Sequence, residues 1–442
     1  MTLQVIFVSV TMLIITPHTT KLTKIFHFYK TFLVFVNTYM YICTMIKTIN
    51  RTYRFRIYPN ASQMELLAKH FGCTRFVYNH FLNERKEQYQ QNKKSDNYYV
   101  QAKSLTEIKK KAETEWLKEV NSQTLQFALR ALDTAFLNFF RGNAQFPKFK
   151  SRKHKNSFTI PQFGSVSNGL LHIPKFKDGI KINLHREIVG KIGKMTITKT
   201  PTGKYYVSIF TEQIIEELPK TNKQVGIDLG LKDFVITSDN KKFKNNRYTK
   251  KYAKQLKKAQ QHLSRKQKGS NGFEKQKLKV AKIHEKIASC RLDTLHKVST
   301  ELVKNYDLIS VEDLNVKGMI KNHKLSKHIA DASWGNFVNL LQYKCDWYGK
   351  ELVKVSRFYS SSKTCNECGW IKQDLKLSDR EWTCKSCGVV HNRDVNASRN
   401  ILKEGLKNTS AGTVDYKGGE EIRPTLLAHS VKPEAPSPLG KG

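Results

Sequence analysis

The stretch Gln224-Val-Gly-Ile-Asp-Leu-Gly230 decides how this chain folds and what it can do. Its apolar residues are typical of a buried strand, and Asp228 ends that strand just before a glycine that permits a tight turn. A second apolar strand, Asp307-Leu-Ile-Ser-Val-Glu312, also ends in an acid. Because such strands alternate with helical segments in this part of the chain, the sequence predicts an α/β layer structure.

A third acid follows at the start of a predicted helix, Asp394 in the segment His391-Asn-Arg-Asp394. Asp228, Glu312 and Asp394 are 84 and 82 residues apart, so only folding can bring them together. Clustered carboxylates bind Mg²⁺, and two such ions about 4 Å apart activate a water and stabilise the leaving oxygen of a phosphodiester. The sequence therefore predicts a nucleic-acid-cleaving site that holds Mg²⁺, with two ions, on these three acids.

Four cysteines lie between the second and third acids. Cys365-x-x-Cys368-Gly and Cys384-x-x-Cys387-Gly, with fifteen residues between the pairs, have zinc-ribbon spacing. Four sulfur ligands close a tetrahedral site, so we expect structural Zn²⁺, with redox chemistry as the weaker alternative. His391 is most simply interpreted as a structural or solvent-exposed residue, although it could bind metal or phosphate.

The charge of the chain indicates a polyanionic partner. There are 77 basic and 37 acidic side chains, a formal net charge of +40. The segment 146–158 interleaves aromatic and basic residues, which could stack on bases and contact phosphates. Its predicted nucleic-acid-binding residues are Lys148, Lys150, Arg152, Lys153 and Lys155. The alternatives are a charged loop here and a solvated basic surface overall.

The first 44 residues differ from the rest. They contain two apolar runs of about 13 residues, too short to span a membrane comfortably. We interpret them as an upstream extension before a start at Met45, with a membrane anchor as the alternative. The scattered cysteines indicate a reducing interior, and we expect no membrane partner.

The remaining segments predict a second, β-rich region. Thr52–Tyr58 alternates like a half-buried strand, and Ser62-Gln-Met-Glu65 has the pattern of a capping box. Helical segments are predicted at 104–116 and 122–140. Short alternating runs over 157–211 predict an antiparallel β-barrel or sheet that includes the first strand, with the helices inserted in it.

Five short motifs resemble the TnpB (OrfB) proteins of bacterial and archaeal insertion sequences. They are Gly226-Ile-Asp-Leu-Gly-Leu-Lys-Asp233, Val311-Glu-Asp-Leu-Asn-Val316, Ser361-Ser-Lys-Thr-Cys365, Cys384-Lys-Ser-Cys-Gly388 and His391-Asn-Arg-Asp394. The resemblance covers roughly residues 45–425. It implies an RNA-guided DNA endonuclease related to type V CRISPR effectors, with Asp228, Glu312 and Asp394 as catalytic carboxylates and the four cysteines on zinc.

The resemblance also implies an RNase H-like (RuvC) α/β nuclease domain with an inserted zinc ribbon, and a β-barrel wedge domain with a helical insert. The expected boundaries are 1–44 for the extension, 45–61 and 145–220 for the wedge domain, 62–144 for the helical recognition insert, 221–360 and 389–404 for the nuclease domain, 361–388 for the zinc ribbon, and 405–442 for a disordered tail.

The expected partners are a guide RNA from the transposon end and a double-stranded DNA target, in the prokaryotic cytoplasm and associated with the nucleoid. Two alternatives stay open. One is a protein-directed transposase that uses the same acids without a guide RNA. The other is a non-catalytic zinc-ribbon protein that binds DNA and regulates transposition.

Overall fold

The structure, a computed structural model, describes residues 46–153, 156–376 and 378–410. The predicted extension 1–44, Lys155 and the tail residues 411–442 lie outside the described residues. Of the described residues, 46–47 with 214–217 form one unit and 48–213 with 218–410 form the second. The second unit, described below, is a multidomain mixture of α and β structure.

Seven strands form the first sheet. They are β1 (Ile46–Tyr58), β2 (Asn156–Ile160), β3 (Ser165–Ser167), β4 (Leu170–His172), β5 (Ile180–Asn183), β6 (Lys191–Lys199) and β7 (Tyr205–Glu216). Their order across the sheet is β2-β6-β7-β1-β5-β4-β3. The pairs β2–β6, β6–β7, β1–β5, β4–β5 and β3–β4 are antiparallel.

The predicted sheet is thus confirmed, but its closure into a barrel is not. Among the described residues no pairing joins the edge strands β2 and β3. The β3–β4 edge has strands of three residues, which offer few backbone groups for a closing ladder.

The core of this sheet follows the alternation of its strands. In β1, Tyr53, Phe55 and Ile57 are buried while Arg54 and Tyr58 are exposed. The same core receives two residues from the first helix, Leu67 and Phe71. The helical insert is therefore packed onto the sheet from its first turns.

Three α-helices lie between β1 and β2. They are α1 (Ala61–Asn92), α2 (Tyr98–Ile108) and α3 (Ser122–Phe140), with a 3-10 helix at Ala112–Glu119. The bounds predicted for α3 are confirmed. The single helix predicted at 104–116 is wrong, because Asn97 caps the amides of Tyr99 and Val100 and starts α2 earlier.

The capping box at the start of α1 was predicted at the wrong residues. Asn60 is the N-cap, and its side chain accepts a hydrogen bond from the Gln63 amide at 2.9 Å. The Gln63 side chain accepts from the Asn60 amide at 3.1 Å. Asparagine caps at least as well as serine, so the helix starts before the predicted Ser62–Glu65 pair.

Five strands form the second sheet. They are β8 (Gln224–Leu229), β9 (Asp233–Thr237), β10 (Lys242–Lys244), β11 (Leu308–Glu312) and β12 (Glu351–Val355). Their order is β10-β9-β8-β11-β12. β8, β11 and β12 are parallel to one another, and β9 and β10 are antiparallel additions.

The helices of this region surround that sheet. They are α4 (Tyr248–Lys251), α5 (Ala253–Ser264), α6 (Asn271–Asn305), α7 (Val316–Met319), α8 (Ser326–Ala332), α9 (Trp334–Tyr348) and α10 (Arg393–Ser410). A two-stranded sheet of β13 (Glu381–Thr383) and β14 (Val390–Asn392) lies between α9 and α10 in the sequence. No helix in the described ranges is long and apolar enough to cross a membrane.

The two faces of the second sheet are covered differently. Val225 and Ile227 of β8 share one core with Leu295 and Leu302 of α6 and with Phe337 of α9. Because side chains alternate along a strand, the residues between them point to the other face. That other face carries α10.

Helix α10 contacts the sheet at two glycines. A Cβ atom at Gly226 would overlap the Ser398 carbonyl oxygen and lie 2.6 Å from the Leu402 amide nitrogen. Gly405 of α10 lies equally close to Ser310 of β11. The predicted disordered tail is therefore wrong for residues 405–410, which continue this helix.

A buried ion pair joins the starts of the parallel strands. Lys350, before β12, donates hydrogen bonds to Asp307, before β11, and to the Pro219 carbonyl. Asp307 also accepts from the amides of Thr221 and Asn222, before β8. Burial alone would raise the pKa of Asp307, but these hydrogen bonds outweigh it and hold that pKa at about 2.

We expect Asp307→Asn to lower the free energy of unfolding at pH 7 by about 2 kcal/mol. The folded pKa of Asp307 lies below its unfolded value, so its contribution is full above about pH 4 and is lost as the pH falls through about 2. Urea denaturation from pH 7 to pH 3 measures the difference. Asp293→Asn, in an exposed pair with Lys297, should change little. Equal losses in both variants would contradict the assignment.

We expect Gly226→Ala to destabilise the fold by about 3 kcal/mol, because the new methyl group displaces the backbone of α10. Thermal or urea unfolding measures the change. Gly335→Ala is the matched control, since a Cβ atom there meets nothing within 4 Å. A Gly226→Ala protein as stable as the control would show that α10 does not lie against β8.

Candidate active site and metal centre

The three predicted acids lie on the face of the second sheet that α10 covers. Ser310 and Gly226 are paired in register on β11 and β8, and both contact α10. Asp228 and Glu312 lie two residues further along the same strands and therefore on the same face. Asp394 is one helical turn before Ser398, whose carbonyl lies over Gly226. The packing of α10 thus brings Asp394 toward the two strand-end acids.

The pKa of Asp228 reflects this convergence. It is raised to about 7, first by burial and then by the negative charges of Glu312 and Asp394, while Arg393 and a backbone hydrogen bond from Leu229 oppose the shift. Burial also raises the pKa of Glu312, against a hydrogen bond from the Ser361 hydroxyl. The charges of Glu312 and Asp394 disfavour the ionisation of Asp228, and a divalent cation would offset that effect. The three carboxylates offer the oxygen ligands that Mg²⁺ prefers, so these residues fit the predicted ion.

Two of the acids also have protein partners. Asp394 forms an ion pair with Arg380 at 3.4 Å, and Glu312 accepts the hydrogen bond from Ser361. Within the described residues, the His, Cys, Asp or Glu side chains that lie close enough to share one metal ion are the four cysteines. The acids therefore share an edge of the sheet without forming such a tight group.

The cysteine cluster has the geometry of a closed metal centre. The sulfur atoms of Cys365, Cys368, Cys384 and Cys387 all lie within 4.8 Å of one another. Each knuckle ends in a glycine with positive φ, 80° at Gly369 and 72° at Gly388. Their amides donate to the carbonyls of Cys365 and Cys384, which closes both turns. Four thiolates in this arrangement are a donor set that suits Zn²⁺.

His391 lies beside this centre. It is buried, its ring packs against Trp382, and its Nε2 atom is 3.0 Å from the Cys365 sulfur. The structural interpretation of His391 is therefore the better one, and solvent exposure is wrong. A ring N–H at this position can donate to a thiolate and orient it.

Two buried asparagines attach the cysteine segment to α10, and sequence reasoning missed them. Asn396 donates to the Thr364 carbonyl at 2.7 Å, and Asn400 donates to the carbonyls of Ser361 and Thr364 at 2.8 and 2.6 Å. Their spacing of four residues places both on one face of α10, but it does not show which segment they contact. Through Ser361 this network also reaches Glu312.

The predicted nucleic-acid-binding segment is an exposed loop between α3 and β2. Lys148, Lys150, Arg152 and Lys153 are exposed, while Lys155 lies outside the described residues. The side-chain amide of Asn79 holds the Lys150 backbone through two hydrogen bonds of 2.9 and 2.7 Å. The arrangement leaves cations and the rings of Phe146 and Phe149 at the surface.

Three family models match the chain. One described as "Probable transposase" matches residues 204–323, and one described as "Cas12f1-like, TNB domain" matches 334–401. A third, described as "Helix-turn-helix domain", matches 45–94. Those residues form strand β1 and the single helix α1 in this chain.

Two relatives align over most of their length. A Streptomyces pristinaespiralis protein named "Putative RNA-guided DNA endonuclease" is 39% identical over 83% of this chain and 92% of its own length. The Escherichia coli K12 protein "Putative RNA-guided DNA endonuclease InsQ" is 33% identical over 83% of this chain and 95% of its own. A solved Cas12f1–sgRNA–target DNA complex is 15% identical, with a TM-score of 0.48 over 80% of this chain and 99% of that one.

The two relatives are similar along nearly their whole length, and the transposase model covers the strands that carry Asp228 and Glu312. This chain belongs to the TnpB (OrfB) family of insertion-sequence proteins.

Proposed function

We propose that this chain is an RNA-guided, metal-dependent DNA endonuclease encoded by an insertion sequence, with Asp228, Glu312 and Asp394 as its catalytic carboxylates. The observation that carries the proposal is the register of β8 with β11 and the packing of α10 on both strands, which bring the three acids toward one edge of the sheet. The raised pKa of Asp228, to which the charges of Glu312 and Asp394 contribute, agrees with it. The names of the two full-length relatives support the same activity.

The second sheet supports an RNase H-like (RuvC) nuclease domain. Its five strands have the order 3-2-1-4-5, counted from β8 as the first, and the second strand is antiparallel to the first. Parallel strands β8 and β11 are neighbours at the centre, so acids after both strands meet at one edge. The last helix then supplies the third acid.

The residues divide the work of phosphodiester hydrolysis. Two bound divalent cations would activate the attacking water and stabilise the leaving oxygen. Asp228 and Asp394 would supply oxygen ligands, while Ser361 fixes one oxygen of Glu312 and leaves the other to face the site. Arg380 forms an ion pair with Asp394 and would offset its negative charge while no cation is bound. Burial of Asp228 strengthens all of these electrostatic interactions.

Base pairing with a guide RNA would choose the double-stranded DNA target, while the protein recognises shape and phosphate charge. The net charge of +40 supports such a partner. Lys148, Lys150, Arg152 and Lys153 are exposed, and we assign them to phosphate contacts together with Lys155 of the same basic segment. The β-barrel wedge assignment and the helical recognition insert are part of this proposal.

We expect Glu312→Gln to abolish guided cleavage in Mg²⁺ while RNA-dependent binding of target DNA changes little, because the amide keeps the shape and loses the charge. The assay uses the protein with its co-purified RNA and a matching duplex, and measures both cutting and binding. Glu274→Gln, in an exposed pair on α6, is the control and should cut normally.

Three results of that assay would contradict the proposal. Cutting by Glu312→Gln would refute the assignment of the acid. Cleavage of transposon ends by RNA-free protein would favour a protein-directed transposase. Binding without any metal-dependent cutting by the unaltered protein would favour a non-catalytic regulator.

We also propose that the four cysteines hold one structural Zn²⁺, and expect Cys384→Ser to lose it. Elemental analysis should give one zinc per unaltered chain and little in the variant, with a lower melting temperature, because metal binding contributes folding energy. Cys290→Ser, outside the cluster, should keep its zinc. Full zinc content in Cys384→Ser, or none in the unaltered protein, would refute the assignment.

A further inference from the structure

One aromatic ring next to the proposed active site is left almost entirely in solvent. Phe358 is 88% exposed, more than any other large apolar side chain in the described part of the chain. It lies in the loop 356–360, which leaves β12 and leads to Ser361. None of the mechanism above uses it.

Both ends of this loop are tied to the strand that ends in Glu312. Val355, at the end of β12, is paired with Glu312, and its carbonyl accepts the Asp313 amide at 2.9 Å. Ser361 donates its hydroxyl to Glu312. Phe358 is three residues from each anchor, and three residues span at most about 11 Å. The Cα atom of Phe358 therefore lies within about 11 Å of both anchors of the Glu312 strand.

The loop is held in one shape. The Tyr359 amide donates to the Ser356 carbonyl at 3.1 Å, and the Ser361 amide donates to the Tyr359 carbonyl at 2.9 Å. Arg357 is paired with Asp313, the residue after Glu312. These bonds order the backbone of the loop before any partner arrives, so a partner that binds at Phe358 has little main-chain entropy to remove.

The charge around the ring favours a nucleic-acid base over an apolar peptide as its partner. Arg357 is adjacent and partly exposed, Arg380 is paired with Asp394, and Arg393 is close enough to Asp228 to lower its pKa. Aromatic rings stack on bases of any identity, while nearby cations contact the phosphates. A strand that reaches the carboxylates would therefore carry one of its bases past Phe358.

We propose that Phe358 stacks on a base of the single DNA strand at the cleavage site and so positions the adjacent phosphodiester. The inference rests on the proposed function, because it assigns the strand to the same three acids. It makes Phe358 a substrate-contacting residue that reads no sequence.

The test uses single-stranded DNA oligonucleotides with the fluorescent base 2-aminopurine moved one position at a time. Glu312→Gln protein with its co-purified RNA keeps the DNA uncut. We expect fluorescence to be quenched at one or two adjacent positions. Glu312→Gln/Phe358→Ala should lose that quenching and bind about tenfold more weakly. Glu312→Gln/Phe358→Trp should retain both.

Glu312→Gln/Phe163→Ala is the matched control, since Phe163 is 76% exposed but lies in the first sheet region. It should quench normally, and equal melting temperatures exclude misfolding. Quenching that survives Phe358→Ala, or that is lost equally in the Phe163 variant, would overturn the inference. So would the absence of quenching at every position.

Guided duplex cleavage by the unaltered protein separates this inference from the proposed function. Cleavage together with unchanged quenching in Phe358→Ala overturns the stacking role alone. A failure to cut overturns the nuclease proposal, and the position-dependent quenching still decides whether Phe358 contacts a base.

Discussion

The close contact between the backbone of α10 and β8 at Gly226 is the constraint on which the site depends. Any side chain there would collide with the Ser398 carbonyl and push the helix away. Gly405 makes the matching contact with Ser310 on the neighbouring strand. These two contacts together fix the position of α10 on the sheet. Its first turn, and with it Asp394, then lies over the ends of the strands that carry Asp228 and Glu312.

Bringing three acids together opposes folding, so the surrounding structure must be stable enough to hold them. Burial and mutual repulsion both raise the pKa of Asp228. The opposite ends of the same strands are held by the Asp307–Lys350 ion pair and by the hydrogen bonds that Asp307 accepts from backbone amides. Stabilising interactions therefore lie at the starts of these strands, and the repulsion between carboxylates lies at their ends, where we propose the active site.

The sequence was most informative where local pattern and tertiary role agree. The bounds of α3 were predicted to the residue, because its apolar spacing matches the face it buries. The prediction of the capping box was wrong because two possible N-cap residues, Asn60 and Ser62, lie within three residues of sequence. The end of α10 was predicted too early, because the low helix propensity of Gly405 indicates a helix end, whereas in this fold the glycine permits close packing on Ser310. No local pattern shows that Asn396 and Asn400 reach the cysteine segment, since that contact exists only after folding.

The same network shows why the cysteine module lies where it does in the chain. It is inserted between β12, which pairs with the strand of Glu312, and α10, which begins one residue before Asp394. Asn396 and Asn400 hold its first knuckle to α10, and Arg380 of the module pairs with Asp394. A flexible connection at this point would let the third acid move relative to the other two. With the proposed zinc bound, a small module closed by four sulfur ligands would be rigid without a large core, and the position of Asp394 would become part of the metal-stabilised fold.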